Sequence, residues 1–294
     1  MDKIIIDRKI LFKQNLIHEN SDTCTRVYYY ENDKVLKIFE PTYIMACNML
    51  GIDIKSKILL VDGFNRNKLK EIVLPSAIVF DKNNKFCGYI MPRIDGVPYP
   101  DYTVNNQHKY DLYYYANIHN KFETIVKKGN EEGIIFPDLC TWNNILITSN
   151  GDVKFIDYDD FQINNLKSNC YSDALGNDNY FFSLGIADKN GLFNNNVDKL
   201  SLIYMYFLDT LRVDLSKIIY TVDITMTLDK LFYKIGLDDP DIQEKVCRLF
   251  IKNKQNEFLG QDLYRIAEMY TIDTYYDKNN VLSRKFKRKW YNNR

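Results

Sequence analysis

The chain has 294 residues, of which 46% are hydrophobic and 27% are charged, the balance of an ordinary soluble globular protein. Its 39 basic and 39 acidic residues cancel to a formal net charge of zero, so no overall field would attract nucleic acid or an acidic membrane. The sequence has no apolar run of the roughly 18 residues that suggest a membrane span, and its first residues do not resemble a signal peptide. Its six cysteines are scattered without a C-x-x-C pair, and these features together predict a cytoplasmic protein.

Strands dominate the predicted elements of the first hundred residues. Residues 26–30 and 34–39 are predicted to form two strands around a short polar turn. Helical spacing follows over 42–62, with an interruption at Gly51, and further strand sequence runs over 72–80 and 86–91. A connector follows these strands and is marked by Gly96, Pro98 and Pro100. We predict that this connector separates two parts of the molecule.

The second part of the chain is predicted to be mainly helical. Residues 107–128 carry apolar side chains at three- and four-residue intervals, which is typical of an amphipathic helix. Two short apolar strands around the turn at 149–152 predict a hairpin. A polar segment then runs over 163–196, and residues 197–275 are predicted to be helical throughout. The whole pattern predicts an α+β fold with a small strand-rich part and a larger helical part.

Three polar residues surround the predicted hairpin. Asp138 and Asn144 precede its first strand, and Asp157 follows its second strand. Because both ends of a hairpin lie side by side, these side chains are predicted to converge on one centre. Carboxylate and amide oxygens suit Mg²⁺, which prefers hard ligands and keeps several waters. The arrangement is typical of phosphoryl transfer, which needs a positioned nucleotide, a metal ion and a base near the attacking hydroxyl.

At these residues the chain resembles the protein-kinase-like superfamily. The catalytic-loop pattern H-R-D-x-x-x-x-N is matched by Phe136-Pro137-Asp138 and a downstream asparagine, and D-F-G is matched by Asp157-Tyr158-Asp159. The resemblance implies a bilobal kinase-like fold in a single domain over 1–294. The implied parts are a β-rich N-lobe of about 1–94, a hinge of about 92–100 and a mainly helical C-lobe of about 101–294.

The resemblance also implies the cofactors ATP and Mg²⁺ (or Mn²⁺) and a role for each matched residue. Asp138 would be the catalytic base, and Asn144 and Asp157 would be the metal ligands. Lys37, in Val35-Leu36-Lys37-Ile38, would be the strand lysine that holds the α- and β-phosphates and contributes to catalysis. The residues implied to contact the nucleotide are Lys37, Asn20, Val27, Met91, Arg93 and Ile94.

The chain departs from the family pattern in several places. The segment 20–27, which aligns with the glycine-rich loop, contains no glycine. No glutamate occurs over 41–70 to pair with Lys37, and Asp53 is the nearest substitute by spacing. Asn143 has the family spacing from Asp138, whereas Asn144 is followed directly by the expected apolar run, and we prefer Asn144.

The function implied by the resemblance is that of an ATP- and Mg²⁺-dependent phosphotransferase, in the first place an atypical protein Ser/Thr kinase. The missing glycines and glutamate leave open an inactive pseudokinase that works as a nucleotide-binding or scaffold module. A small-molecule kinase of the aminoglycoside or choline type also remains open, because it shares the Asp…Asn…Asp core. A protein substrate or binding partner is expected, with no nucleic acid and no membrane, and the sequence does not determine the oligomeric state.

Three further features have a structural interpretation. Asp198 is predicted to accept hydrogen bonds from the backbone of the catalytic loop. Asp159 and Asp160 are interpreted either as support for a second metal ion or as an exposed acidic turn. The basic segment 284–290 is interpreted as a solvated helix end rather than as a site for phosphate or lipid.

Overall fold

The computed structural model describes residues 1–7, 16–20, 25–99, 111–139, 144–169, 186–212, 224–249, 260–277 and 282–289. Over these residues the fold is mixed α+β, with one large sheet before residue 93 and the longer helices after residue 111. The predicted α+β class is therefore confirmed. None of the helices in these stretches is long and apolar enough to cross a membrane.

A six-stranded sheet occupies the first part of the described chain. Its strands are β1 (Asp2–Ile6), β2 (Leu16–Asn20), β3 (Thr25–Tyr30), β4 (Lys34–Phe39), β5 (Ala77–Asp81) and β6 (Phe86–Pro92). They lie in the order β1-β5-β6-β4-β3-β2, where β1 is parallel to β5 and the other neighbours are antiparallel. The predicted strands over 26–30, 34–39 and 86–91 are confirmed, and their β-branched and aromatic residues favour this pleated conformation.

Strand β4 lies inside the sheet between β3 and β6, and its residues from Val35 to Phe39 are all buried. Lys37 is at the middle of this strand, with only 4% of its surface exposed. Removing an ammonium group from water is unfavourable unless carboxylates or other acceptors meet it. Lys37 therefore needs partners inside the protein, and these come from a distant part of the chain.

Two short helices follow β4, namely α1 (Pro41–Met49) and α2 (Ile54–Leu59). The predicted interruption lies between them at Gly51, whose φ of +74° is a conformation that glycine adopts without steric penalty. Asp53 caps α2, because its carboxylate accepts hydrogen bonds from the backbone nitrogen and the hydroxyl of Ser56 at 2.9 and 2.6 Å. Asp53 therefore stabilises a helix end, and its interpretation as the partner of Lys37 is wrong.

The strand predicted over 72–80 is shorter in the structure, since β5 begins only at Ala77. The residues before it pair with a different part of the molecule. The backbone nitrogen of Val73 donates to the carbonyl of Phe155 at 2.8 Å, and the nitrogen of Phe155 donates to the carbonyl of Glu71 at 2.9 Å. This pairing connects the chain next to the large sheet with the predicted hairpin.

Short strands form that hairpin and lie on either side of it in the chain. They are β7 (Gly96–Pro98), β8 (Ile134–Ile135), β9 (Ile145–Thr148), β10 (Val153–Phe155) and β11 (Gln162–Ile163). Strands β9 and β10 pair antiparallel, which confirms the predicted hairpin, and β7 pairs with the other side of β9. The predicted connector thus includes a short strand, while Pro100 lies outside the described residues.

The helices of the second part are α3 (Leu112–Glu131), α4 (Asn196–Leu211), α5 (Ile224–Ile235), α6 (Pro240–Leu249) and α7 (Gly260–Met269). Asp111 caps α3 by accepting hydrogen bonds from the backbone nitrogens of Tyr113 and Tyr114. The helix predicted over 107–128 is confirmed from residue 112 onward, and residues 107–110 lie outside the described ranges. The apolar face of α3 packs against α4 and α7, and this packing forms much of the core in the second part of the molecule.

The C-terminal part of the described chain forms a hairpin of β12 (Tyr270–Tyr276) and β13 (Leu282–Arg288). The prediction of helix up to residue 275 is therefore wrong from residue 270. The interpretation of the basic segment as a helix end is also wrong, because its described part is strand. Alternation explains the result: Tyr270 and Phe286 are buried, whereas neighbouring residues of both strands are more exposed.

Candidate functional site

A cavity of about 1160 Å³ lies between the large sheet and the β7-β9-β10 strands. Its wall on the sheet side comes from β2, β3, β4 and β6, and the opposite wall comes from the hairpin and the residues on either side of it. The predicted site residues that line this cavity are Val27, Lys37, Met91, Arg93, Ile94, Asp138, Asn144 and Asp157. Asn20 ends β2 opposite Thr25, and its side chain lies outside the described part of the chain.

Lys37 meets two carboxylates in this cavity. Its Nζ donates to Oδ1 of Asp157 and to Oδ1 of Asp159, both at 2.9 Å. Burial alone would lower the pKa of Lys37, but the two carboxylates outweigh that effect and hold its pKa well above the ordinary value. Lys37 is therefore a permanent cation at the floor of the cavity.

Asp159 is the buried member of this group, with only 1% of its side chain exposed. Its Oδ1 also accepts a hydrogen bond from the hydroxyl of Tyr89 at 2.7 Å. Burial raises the pKa of Asp159, but Lys37 and the Tyr89 hydroxyl more than offset this, and the net pKa is lowered. Asp159 is thus a carboxylate at neutral pH, and its interpretation as part of an exposed turn is wrong.

Asp160 is the next residue, and its pKa is shifted in the opposite direction. Burial raises its pKa well above the ordinary value, and the neighbouring carboxylate of Asp159 raises it further. Its Oδ1 accepts a hydrogen bond from Asn169 at 2.8 Å. The pKa values of these two adjacent aspartates are therefore shifted in opposite directions, because only Asp159 is in contact with Lys37.

Asp157 has a left-handed backbone, with φ +64° and ψ +52°. Non-glycine residues adopt this conformation only where their surroundings hold them in it, although aspartate tolerates it better than most. Asp157 comes immediately before a short 3-10 helix, Tyr158–Asp160. The turn allows the carboxylates of Asp157 and Asp159 to reach the same ammonium group.

Asp138 and Asn144 are joined by a hydrogen bond on the opposite wall. The amide Nδ2 of Asn144 donates to Oδ2 of Asp138 at 3.0 Å. The carbonyl of Asn144 accepts a hydrogen bond from the nitrogen of Ile156 at 2.9 Å, which holds it beside the strand that leads to Asp157. Asn143 lies outside the described residues, whereas Asn144 lines the cavity.

The donor set of the cavity fits Mg²⁺. The amide nitrogen of Asn144 is engaged with Asp138, which leaves its amide oxygen as a ligand, and Asp157 supplies a carboxylate that is 29% exposed. Within the described residues, no group of three or more His, Cys, Asp and Glu side chains is placed to hold a metal ion. Mg²⁺ does not require such a group, since it is usually bound through one or two carboxylates together with waters and substrate phosphates.

One side of the cavity is apolar. Its apolar wall residues from the sheet, from the segment before β5, and from the hairpin are Val27, Val35, Val73, Met91, Ile94, Leu146 and Ile156. Arg93 is at the rim, where its guanidinium pairs with Asp95 at 2.7 Å and lies 5.0 Å from the centre of the Tyr29 ring. An apolar wall next to a few charged groups is typical of a pocket for a small ligand.

Asp198 supports the loop that carries Asp138. Its Oδ1 accepts a hydrogen bond from the backbone nitrogen of Phe136 at 2.8 Å, and its Oδ2 accepts one from Asn130 at 2.7 Å. The predicted structural role of Asp198 is therefore confirmed. Burial in the core raises the pKa of Asp198 to about 7.

Sequence reasoning missed two residues of this network, Tyr89 and Lys57. Tyr89 has no sequence signal that distinguishes it from any other strand tyrosine. Lys57 does have one, since it occupies the buried helical stripe Ile54, Lys57, Ile58 and Val61 at positions where apolar residues are expected. A lysine within such a stripe indicates a buried cation that requires acceptors.

No protein-family model matches the chain, and no curated protein is significantly similar to it in sequence.

Proposed function

We propose that this chain is an ATP- and Mg²⁺-dependent phosphotransferase that acts on serine or threonine hydroxyls of a protein. The observation that carries the proposal is that Lys37, Asp138, Asn144 and Asp157 line one cavity, although 120 residues separate the first from the last. In this proposal the fold is bilobal and kinase-like, with an N-lobe of about 1–94, a hinge of about 92–100 and a C-lobe of about 101–294.

The cavity accommodates ATP in one orientation. The adenine lies against the apolar wall between Val27, Met91 and Ile94, and the phosphates extend toward Lys37. An ammonium group has three donors, of which Asp157 and Asp159 engage two, so the third is available to a phosphate oxygen. Asn144 and Asp157 would hold Mg²⁺, which when bound supplies positive charge to the phosphates.

Asp138 is the base in this proposal. The acceptor oxygen attacks the γ-phosphorus, the bond from that phosphorus to the bridging oxygen of ADP breaks, and the hydroxyl proton passes to the Asp138 carboxylate. The hydrogen bond from Asn144 to Oδ2 of Asp138 holds the carboxylate in one orientation. A positioned base of this kind contributes roughly 10²–10⁴-fold to a proton transfer.

A second candidate is a nucleotide-binding module without turnover. It is favoured by the segment 20–27, which has no glycine to allow close approach of its backbone to the phosphates. Such a module would bind ATP through the same wall and the same lysine. Turnover distinguishes the two candidates, because only the enzyme depends on Asp138 for phosphate transfer.

The test is incubation of the purified protein with γ-labelled ATP and Mg²⁺, alone, with unfolded protein substrates, and with aminoglycoside or choline acceptors. We expect label on serine or threonine, and we expect Asp138→Asn to remove it. Asp152→Asn serves as the control, because Asp152 is an exposed carboxylate on the turn between β9 and β10. ATP binding without label transfer in any arm would support the binding module, and no ATP binding at all would overturn both candidates.

A further inference from the structure

Lys57 is a fully buried lysine outside the set of residues assigned to the reaction. It lies in α2, and 0% of its surface is exposed. Its neighbours on the same helix, Ile54 and Ile58, pack into the apolar core beside the sheet. A methionine or leucine would fill this position without the unfavourable desolvation of an ammonium group, so the charge requires an explanation beyond packing.

The side chain of Lys57 extends to the turn that follows Asp157. Its Nζ donates to the backbone carbonyls of Asp159 and Phe161, the latter at 3.0 Å, and lies 3.4 Å from Oδ1 of Asn169. The hydroxyl of Tyr158 returns a hydrogen bond to the carbonyl of Lys57 at 3.0 Å. Both the side chain and the backbone of Lys57 are therefore bonded to the turn.

The carbonyl of Asp159 lies at the end of the short 3-10 helix Tyr158–Asp160, and that of Phe161 comes directly after it. The last carbonyls of a helix lack partners within the helix and carry partial negative charge, which a cation satisfies. The same helix begins directly after Asp157, whose left-handed backbone needs its surroundings to hold it. Lys57 thus holds the C-terminal end of the turn. The N-terminal end of the same turn carries the carboxylate of Asp157, which is proposed to bind Mg²⁺.

Asp159 lies between two lysines. Lys37 holds its carboxylate from the sheet, and Lys57 holds its backbone carbonyl from α2. The helix that the family resemblance expects to provide a carboxylate for Lys37 instead provides a second cation, and the carboxylate comes from the turn itself. In this structure the helix supplies a cation and the turn supplies the carboxylates, two of which contact Lys37.

We propose that Lys57 is a positioning residue that fastens the 157–161 turn to α2 and thereby places Asp157 for binding of Mg²⁺ and ATP. The proposal rests on the proposed function for its ligand, while the fastening itself is a property of the free protein. It assigns α2 a defined role, because any movement of this helix would displace the turn. Lys57 does not contact the reacting groups and acts through Asp157 and Asp159.

The test compares Lys57→Met, which keeps an unbranched side chain shorter by a single heavy atom and removes its donors, with Ile58→Ala. Ile58 is equally buried on the same helix, and its substitution loosens the core through lost packing. In the free proteins, hydrogen exchange is measured at the amides of Asp160 and Phe161, which bond to the carbonyls of Asp157 and Tyr158. We expect Lys57→Met to raise exchange at these amides at least tenfold more than Ile58→Ala does, at temperatures where both remain folded.

The second measurement is the dissociation constant of ATP with and without Mg²⁺. We expect Lys57→Met to reduce the gain in affinity from Mg²⁺ at least tenfold, while Ile58→Ala changes this gain less than twofold. If Lys57→Met does not fold, Tyr158→Phe replaces it, since it removes only the hydrogen bond to the Lys57 carbonyl; a smaller change of the same kind, at least threefold, is then expected in both measurements.

The outcomes separate this proposal from the proposed function. If the unmodified protein does not bind ATP, the function fails, and the exchange measurement alone still decides whether Lys57 holds the turn. If the unmodified protein binds MgATP but the variant matches Ile58→Ala in exchange and in its dependence on Mg²⁺, the role of Lys57 is refuted and the function is untouched.

Discussion

Lys37 and Asp159 form a buried ion pair across 122 residues of sequence, with Nζ of the lysine 2.9 Å from Oδ1 of the aspartate. Their side chains are only 5% and 1% exposed, so each charge is compensated mainly by groups of the protein. Tyr89 donates to the same oxygen of Asp159. The pair holds strand β4 of the sheet against the turn at the opposite wall of the cavity.

Replacement of Lys37 by methionine is expected to destabilise the protein by about 3–5 kcal/mol, because it leaves the carboxylate of Asp159 buried without its cation. Adding Asp159→Asn removes that charge, so the double variant Lys37→Met/Asp159→Asn is expected to recover part of the lost stability. ATP binding should remain impaired in both variants. Urea denaturation of the four members of this mutant cycle measures the coupling, and strictly additive effects would contradict the buried pair.

Asp138→Asn is expected to lower phosphate transfer by about 10²-fold or more, because the amide cannot accept the hydroxyl proton. The free energy of unfolding should change little, since asparagine keeps an oxygen that can accept the hydrogen bond from Asn144. Initial rates of ADP release measure the effect. Asp152→Asn should leave the rate unchanged, and an equal loss of rate in that control would contradict the assignment of the base.

Asp157→Asn is expected to weaken binding of MgATP at least tenfold while affecting metal-free ATP less, because an amide is a poorer ligand for Mg²⁺ than a carboxylate. Titration of ATP at several Mg²⁺ concentrations measures the difference. Asp95→Asn is the matched control, since Asp95 is an exposed carboxylate at the rim of the same cavity. The metal assignment fails if both variants respond to Mg²⁺ in the same way.

Asp198 is expected to make stability depend on pH. Its pKa is raised from 3.8 to about 7 in the folded protein, so between these values the folded state binds more protons than the unfolded state. The stability that this group contributes is fully present below about pH 4 and is lost as pH rises toward 7.

The comparison variant for this prediction is Asp198→Asn, which does not titrate and keeps an oxygen for the backbone nitrogen of Phe136. Relative to this variant, the unmodified protein should become less stable as pH rises from about 5 to 7, with little further change above about 8. Urea denaturation across this range measures the difference in the free energy of unfolding. A difference that stays constant with pH would show that Asp198 is ionised throughout.

Gly88→Ala is expected to destabilise the protein by about 1–3 kcal/mol through overpacking. A Cβ atom at Gly88 would lie 2.1 Å from the carbonyl oxygen of Lys37, so β6 would have to move away from β4. Gly63→Ala is the control, because a Cβ atom there would meet nothing within 4 Å. Thermal denaturation of both variants measures the effect, and ATP binding by Gly88→Ala should fall as Lys37 is displaced.

Local sequence signals were sufficient for much of the fold. The turn between β3 and β4, the break at Gly51 and the β9-β10 hairpin depend on residues close together in the chain, and each was predicted correctly. Asp138, Asn144 and Asp157 flank that hairpin, so their convergence also follows from local geometry. The β12-β13 hairpin was missed, because its alternation of buried and exposed residues depends on packing against distant helices.

The sequence by itself determined the α+β class and the chemical groups of the candidate site, because these depend on side-chain periodicity and on short spacings. Tertiary structure alone decided which charge meets Lys37. Asp53, the nearest carboxylate by spacing on the helical segment, caps α2, whereas Asp159 lies 122 residues away and is brought to Lys37 by the stacking of the sheet on the hairpin. A buried lysine must have an acceptor, but the sequence around the lysine does not show which distant residue supplies it.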